Sequence, residues 1–185
     1  MESTQSDDRR AELFVRSLLP EASRTHQQSV VDRVRALVDD GRLLDHSVTV
    51  WGKQLPAAPT ETETAVGRLV HERVRTFKRW ATANDRSLSP AFSIRTVDGQ
   101  VLDEQYRALV LPQLLLVEYD GESVQCVTPH ATEDCVVSVT NRLERLETGT
   151  AATFTHVEQS GVESSADRIE VLGGTIGDHD PVVSE

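Results

Sequence analysis

The fold of this chain is decided by residues 11–51, which read AELFVRSLLPEASRTHQQSVVDRVRALVDDGRLLDHSVTVW. Valines and leucines recur at helical spacing through the middle of this stretch and predict a helix over residues 24–40. Ser23 is a suitable N-cap for that helix, and Gly41 stands where the helix is expected to stop. The β-branched run at residues 46–52 ends in glycine and predicts a strand.

Residues 11–19, AELFVRSLL, leave the N-terminal architecture open between two alternatives. Their apolar side chains fit one side of a short helix, and they fit equally well a strand that ends before Pro20. With a helix here, the order of elements over about residues 11–52 resembles the recognition helix and wing of a winged helix-turn-helix protein. With a strand here, the same residues make a βαβ unit.

The strongest helix signal lies at residues 60–84, where Thr60 and Glu63 form a predicted capping box. Apolar residues make a continuous stripe along this helix, and Arg73 falls inside the stripe. Arg73 must therefore carry its guanidinium to the edge of the stripe or pair with a buried carboxylate. The opposite face of the helix carries three arginines, Arg68, Arg75 and Arg79.

The second half of the chain is richer in strand signals. Two apolar runs at residues 114–119 and 123–128 flank Asp120-Gly121-Glu122 and predict a hairpin. A last helix is expected at about residues 138–147, because Gly149 follows a short stretch of helical spacing.

We therefore expect an α+β fold: a single domain over residues 9–148, in which a mixed or antiparallel sheet is packed by about three helices. Residues 1–8 are expected to be a disordered N-terminus. Residues 149–185 are thin in apolar side chains and rich in acids, so we expect an acidic, flexible tail.

Composition adds a strong statement about charge. The 185 residues contain 30 acids and 19 bases, for a net charge of −11, and Lys53 and Lys78 are the only lysines. A dense carboxylate surface with little lysine suits a halophilic protein, because salt near 1 M shortens the Debye length to about 3 Å and limits self-repulsion. An acidic protein from a GC-rich genome is the alternative.

The charge is unevenly distributed along the chain. Residues 9–107 hold 16 bases and 13 acids, whereas residues 108–185 hold 3 bases and 14 acids. A locally positive region in an otherwise acidic protein suggests that it meets an anion. The alternative is that these arginines pair with neighbouring carboxylates.

Several function classes receive no support from the sequence. The polar, acidic start and the lack of an 18-residue apolar stretch predict a cytoplasmic protein that does not contact a membrane. Structural zinc needs four closely spaced ligands, and the chain offers only Cys126, His130 and Cys135 at loose spacing. We therefore expect no metal and no cofactor. Both cysteines are expected to be small apolar residues of the core. The pair His71-Glu72 is not followed by the second histidine of a zinc protease motif, and the sequence contains no phosphate-binding loop and no nucleophile elbow. We therefore expect that the protein is not an enzyme.

Two groups of residues are candidates for binding double-stranded DNA. The first turns of the 24–40 helix would place a base-reading set, Arg24, Thr25, Gln27 and Gln28, in the major groove. The basic face of the 60–84 helix would place a phosphate-contacting set, Arg68, Arg75 and Arg79, against the backbone. At molar salt each phosphate contact is weakened, so such a protein would need many contacts or a homodimer.

Residues 13–147 also carry a family resemblance. The matching segments are Phe14-Val-Arg16-Ser-Leu with Pro20, Val48-Thr-Val-Trp51-Gly52-Lys53, Phe77-Lys-Arg-Trp80-Ala81, Leu109-Val-Leu-Pro112 and Val127-Thr-Pro129. In these the chain resembles a family of small haloarchaeal proteins described as helix-turn-helix domain proteins of uncharacterised role. The resemblance implies a DNA-linked transcriptional regulator. The residues themselves leave a second function open, a protein-interaction or small-ligand sensing module that binds no nucleic acid.

Overall fold

The computed structural model of the protein describes residues 9–16, 21–98, 105–158 and 170–172. Three helices are present in these residues, α1 (Glu21–Asp39), α2 (Ala65–Ala83) and α3 (Val139–Thr148). The strands are β1 (Arg9–Arg16), β2 (Asp45–Trp51), β3 (Gln54–Pro56), β4 (Ser93–Asp98), β5 (Gln105–Val110), β6 (Leu114–Asp120), β7 (Ser123–Thr128), β8 (His130–Ala131), β9 (Val136–Val137), β10 (Val157–Glu158) and β11 (Glu170–Leu172). The expected disorder of residues 1–8 lies outside the described part of the chain.

The N-terminal part of the fold is a βαβ unit. β1 pairs in parallel with β2, with Leu13 opposite Val48, and α1 connects the two strands. The other edge of β1 pairs antiparallel with β6. Residues 11–15 are all buried, as expected for a central strand that is covered on both faces. Of the two arrangements that the sequence leaves open, the structure thus has the strand and not the winged-helix-like one.

The main sheet has six strands in the order β10, β7, β6, β1, β2, β11, and it separates two apolar cores. Leu13 packs with Val34 of α1 and Leu143 of α3 on one face. Phe14 packs with Phe77 of α2 on the other face, because successive side chains of a strand point to opposite sides. A smaller sheet of β3, β5 and β4 lies on the α2 side, since Leu109 of β5 joins the core of that face.

The helix ends correct two sequence predictions. α1 begins at Glu21, so Ser23 lies inside the helix and is not its N-cap. The predicted capping box at Thr60 is also wrong: Pro59–Glu61 form a short 3-10 turn, and Thr64 caps α2 by accepting a hydrogen bond from the amide of Gly67 at 3.0 Å. Pro59 starts this turn, and the chain is extended again at Thr62, so α2 cannot begin at Thr60.

Other predictions of local structure are confirmed. β6 and β7 form the expected hairpin, and α3 starts at a capping box made by Ser138 and Asn141 and stops at Gly149, which has a positive φ. α1 stops at Gly41, whose φ is +68°, where the amide of Arg42 bonds the carbonyl of Leu37. The α+β class with a mixed sheet and three helices is also confirmed.

Within the segment expected to be a flexible tail, two short pieces belong to the main sheet. Residues 157–158 form β10 and pair with β7, and residues 170–172 form β11 and pair in parallel with β2. Both outer positions of the six-stranded sheet are therefore contributed by this segment. The rest of it beyond residue 158 lies outside the described residues.

Candidate nucleic-acid interface

The outer face of α2 carries a row of exposed cations, which we call the α2 cationic surface and define as Arg68, Arg75, Lys78 and Arg79. Arg68, Arg75 and Arg79 follow one another at helical spacing, so their side chains leave the helix in nearly the same direction. Lys78 lies beside them on the flank that faces the small sheet. The apolar stripe on the opposite side of α2 packs against the main sheet and fixes the direction in which these cations point.

The cations of this surface keep their charge unpaired within the described residues. Arg68 donates to the backbone carbonyl of Glu63 at 2.9 Å, and Arg79 donates to the hydroxyl of Thr76 and to the carbonyl of Glu158. These partners are neutral groups. In the part of the chain that the structure describes, no ion pair joins any of the four cations to a carboxylate. Glu72 lies on the same helix but is not paired with them.

Other arginines do pair with carboxylates. On the α1 side Arg33 bonds Glu147 of α3 at 2.7 Å, and Arg35 lies 3.5 Å from Asp32. The pairing alternative for the basic half of the chain is therefore true of Arg33 and Arg35 and not of the α2 cationic surface.

Arg73 holds α2 to the main sheet through a buried polar cluster. Its guanidinium donates to Glu12 of β1 at 2.6 Å and to the hydroxyl of Tyr119 of β6 at 3.1 Å. Thr49 and Tyr119 also donate to the carboxylate of Glu12. Burial alone lowers the pKa of Arg73, but its interactions with Tyr119 and Glu12 raise that pKa above its ordinary value, so the arginine stays charged.

A second buried pair lies on the other face of the sheet. Arg142 of α3 holds Glu118 of β6 with two parallel hydrogen bonds of 2.6 and 2.8 Å. Each helix-bearing face of the sheet thus contains one buried arginine and carboxylate pair. The Arg142–Glu118 pair is buried, and the Arg73–Glu12 pair is nearly so, with an Arg73 side chain that is 14% exposed.

The base-reading candidates are on the opposite side of the molecule from the α2 cationic surface. Arg24, Thr25 and Gln28 are exposed on α1, and Gln28 donates to Asp32 at 2.9 Å. Gln27 is half-buried and donates to the backbone carbonyls of Arg16 and Gln113. Because α1 and α2 cover different faces of the main sheet, the seven predicted contact residues form two separate groups. One straight duplex cannot touch both groups at once.

Three of the four base-reading candidates on α1 also line a cleft. Arg24, Gln27 and Gln28 line a cleft of about 680 Å³ between α1 and β2, with Val48 and Val50 on its strand side. The sequence did not predict this cleft.

A second cleft borders the α2 cationic surface and was not predicted. It lies between α2 and the small sheet, has a volume of about 490 Å³ and includes Ile94 and Leu109, which are paired across β4 and β5. The available signal was the apolar residue Leu109 in a segment that could be a strand, in which every second residue shares one face. That signal becomes useful only when the position of the small sheet against α2 is known.

His71 adds no charge to this region near neutral pH. Its Nε2 lies 3.0 Å from the carbonyl oxygen of Pro56 and 3.1 Å from the hydroxyl of Thr62. Burial, together with the charge of Lys78, lowers the pKa of His71 below its ordinary value of 6.5. The ring is therefore neutral at pH 7.

The cysteines differ from each other, which corrects one prediction. Cys126 is buried in the core as expected, but Cys135 is exposed and is not a core residue, because it lies in the short loop between β8 and β9. In the described ranges, no three histidine, cysteine, aspartate or glutamate side chains are close enough to hold a metal ion. None of the helices in those ranges is both long and apolar enough to cross a membrane.

Comparison with known proteins gives one match. The family model described as "Helix-turn-helix domain" matches residues 3–151, whereas no curated protein and no solved structure matches the chain. In the structure, strands β2 and β3 separate α1 from α2, and α1 is the connection of a βαβ unit. The chain that matches the family called "Helix-turn-helix domain" therefore has an α+β fold in the described residues, with a βαβ unit at its N-terminal end. Because the match covers most of the chain, the protein belongs to this helix-turn-helix domain family.

Proposed function

We propose that the protein is a non-enzymatic, cytoplasmic, DNA-associated transcriptional regulator of a salt-adapted cell, and that it contacts the phosphate backbone through the α2 cationic surface. The observation that carries the proposal is that four exposed cations have no carboxylate partner in the described residues of a chain whose net charge is −11. Membership of a helix-turn-helix domain family supports the same function.

The dimensions of the surface suit a backbone contact. Arg68 and Arg79 are eleven residues apart, which corresponds to roughly 16 Å along a helix axis. That length is close to half of the roughly 34 Å turn of a duplex. Contacts of this kind position a protein on DNA and carry no sequence information directly.

The proposal assigns no base reading to α1 in the same contact. Arg24, Thr25, Gln27 and Gln28 lie on the other face of the sheet, and the amide groups of Gln27 and Gln28 already have protein partners. Since molar salt weakens each phosphate contact, we propose that a homodimer presents two α2 cationic surfaces to one DNA molecule.

A second candidate function is favoured by one specific observation. The parallel pairing of β1 and β2 makes a βαβ unit, and the cleft of about 680 Å³ beside it has a size typical of small-molecule sites. The same protein could therefore be a ligand-sensing or protein-interaction module that binds no nucleic acid.

The experiment that separates these functions is a DNA-binding titration with a fluorescent duplex of mixed sequence. The triple variant Arg68→Ala/Arg75→Ala/Arg79→Ala should bind more weakly than the wild type. A control with the same loss of charge, Arg33→Ala/Arg35→Ala/Arg95→Ala, removes exposed or half-buried arginines outside the α2 cationic surface and should bind nearly as the wild type does. Equal weakening by both variants would show only a general charge effect and would refute the proposed interface.

A further inference from the structure

The cleft between α2 and the small sheet has an apolar interior. Val74 of α2 and Leu109 of β5 belong to the buried core and form its inner part, while Ile94 of β4 is 49% exposed at its side. An isoleucine that is half exposed beside buried apolar side chains leaves apolar surface in contact with water. Burying that surface under a ligand is therefore favourable.

The mouth of the same cleft is cationic. Arg68, Arg75 and Lys78 line it and have no carboxylate partner among the described residues. Glu72 is the one carboxylate of the lining, and His71 is held by Pro56 and Thr62. An anion in this position would meet three positive charges and one negative charge. The cleft therefore pairs an apolar interior with a net positive rim.

We propose that this cleft binds a small amphipathic anion, a molecule with an apolar body and one acidic head group. The body would pack against Val74, Ile94 and Leu109, and the head would lie between Arg75 and Lys78. A volume of about 490 Å³ falls in the range of roughly 300–1,000 Å³ that small-molecule sites occupy. The cleft is too small for a duplex, so its interior is not explained by contact with DNA.

One consequence rests on the proposed function. Arg68, Arg75 and Lys78 belong both to the cleft and to the α2 cationic surface, so a bound anion would neutralise part of the surface that contacts DNA. Ligand and DNA would then compete, and the ligand would act as a negative effector of DNA binding. The binding of the ligand itself does not depend on that function.

Isothermal titration calorimetry with decanoate tests the proposal, with acetate and 1-decanol as matched probes. Decanoate should bind at one site per chain. Acetate lacks the apolar body and decanol lacks the charge, so each should bind at least tenfold more weakly. Absence of decanoate binding, or equal binding of decanol, would overturn the proposal.

Three variants locate the site. Arg75→Ala/Lys78→Ala should weaken decanoate binding about tenfold, because it removes two exposed charge contacts that are each worth up to about 1 kcal/mol, or fivefold. Ile94→Ser should weaken decanoate binding, because Ile94 contributes to the apolar lining of the cleft. It should leave DNA affinity unchanged, because Ile94 lies outside the α2 cationic surface. Arg79→Ala should leave decanoate affinity unchanged, because Arg79 does not line the cleft. The same variant should weaken DNA binding.

The two readouts keep the proposals separate. If decanoate binds as expected but Arg79→Ala does not change DNA affinity, the DNA interface is wrong and the ligand site stands. If decanoate binds the wild type, the Arg75→Ala/Lys78→Ala variant and the Ile94→Ser variant equally, the ligand site is refuted whatever happens to DNA. Unchanged melting temperatures would show that the variants fold.

Discussion

The guanidinium of Arg73 on α2 lies 2.6 Å from the carboxylate of Glu12 on β1, and the two side chains form an ion pair that is nearly enclosed by the core. Of the two alternatives that the sequence allows for Arg73, the structure has the buried carboxylate partner. The pair joins the helix that carries the candidate interface to the central strand of the sheet. Together with the apolar stripe of α2, it therefore sets the rotation of the helix and the direction of its cations.

Removing Arg73 should be strongly destabilising. Arg73→Ala leaves the carboxylate of Glu12 buried without a cation, and breaking such a pair costs about 3–5 kcal/mol. Urea denaturation should show this loss in the free energy of unfolding. The double variant Glu12→Leu/Arg73→Leu removes both charges and should be more stable than Arg73→Ala. If the double variant is instead the less stable of the two, the pair is not the source of the loss.

The start of α2 can be tested by a pair of threonines. Thr64→Ala removes the N-cap that bonds the amide of Gly67 and should lower the free energy of unfolding by about 1 kcal/mol. Thr60→Ala, which changes the residue that the sequence predicts as the cap, is the matched control and should have a much smaller effect. The prediction fails if Thr60→Ala proves the more costly substitution in urea titrations.

Acid should weaken the fold through buried His130. His130 is 2% exposed, and its Nδ1 lies 2.7 Å from the carbonyl oxygen of Val127. Burial lowers the pKa of His130 below its ordinary value of 6.5, and the charges of Arg86, Arg142 and Arg145 add to the effect. In the pH range just below 6.5 the unfolded chain then binds more protons than the folded one, so stability falls as the pH falls.

The measurement is the free energy of unfolding at pH 7.5 and at pH 5.5. One group contributes at most about 1.4 kcal/mol per pH unit to the difference. His130→Gln should reduce the difference between the two pH values. His71→Gln should reduce it as well, since the pKa of His71 is also lowered. An undiminished difference in His130→Gln would contradict the assignment.

The two thiols should react at very different rates. Burial, together with the charge of Glu118, raises the pKa of Cys126 to about 12, so its thiol stays protonated and enclosed in the core. Cys135 is exposed. A thiol-specific reagent at pH 8 should modify one cysteine per native chain and two after denaturation, and Cys135→Ser should abolish the fast reaction. Fast modification of the Cys135→Ser variant would show that Cys126 is accessible.

Local signals in the sequence account for much of the fold. The hairpin around Gly121 and the helix that ends at Gly149 were predicted because turn and capping residues act within a few positions. For residues 11–19 the sequence does not decide between a strand and a helix, because an apolar run of this length fits both equally well. Only the pairing of β1 with β2 and β6 decides between them.

The candidate site shows the same division. The shared direction of Arg68, Arg75 and Arg79 follows from helical spacing alone. Their separation from Arg24 does not, because it depends on which face of the sheet each helix covers. The cleft at Ile94 depends on the packing of the small sheet against α2, a contact between segments far apart in sequence.

The most direct test of the α2 cationic surface is the salt dependence of DNA affinity. Each neutralised phosphate contributes about 0.9 to the slope of log affinity against log salt concentration. The Arg68→Ala/Arg75→Ala/Arg79→Ala variant should therefore have a slope lower in magnitude than that of the wild type by about 2 to 3, together with weaker binding. The same slope and the same affinity in both proteins would contradict the account.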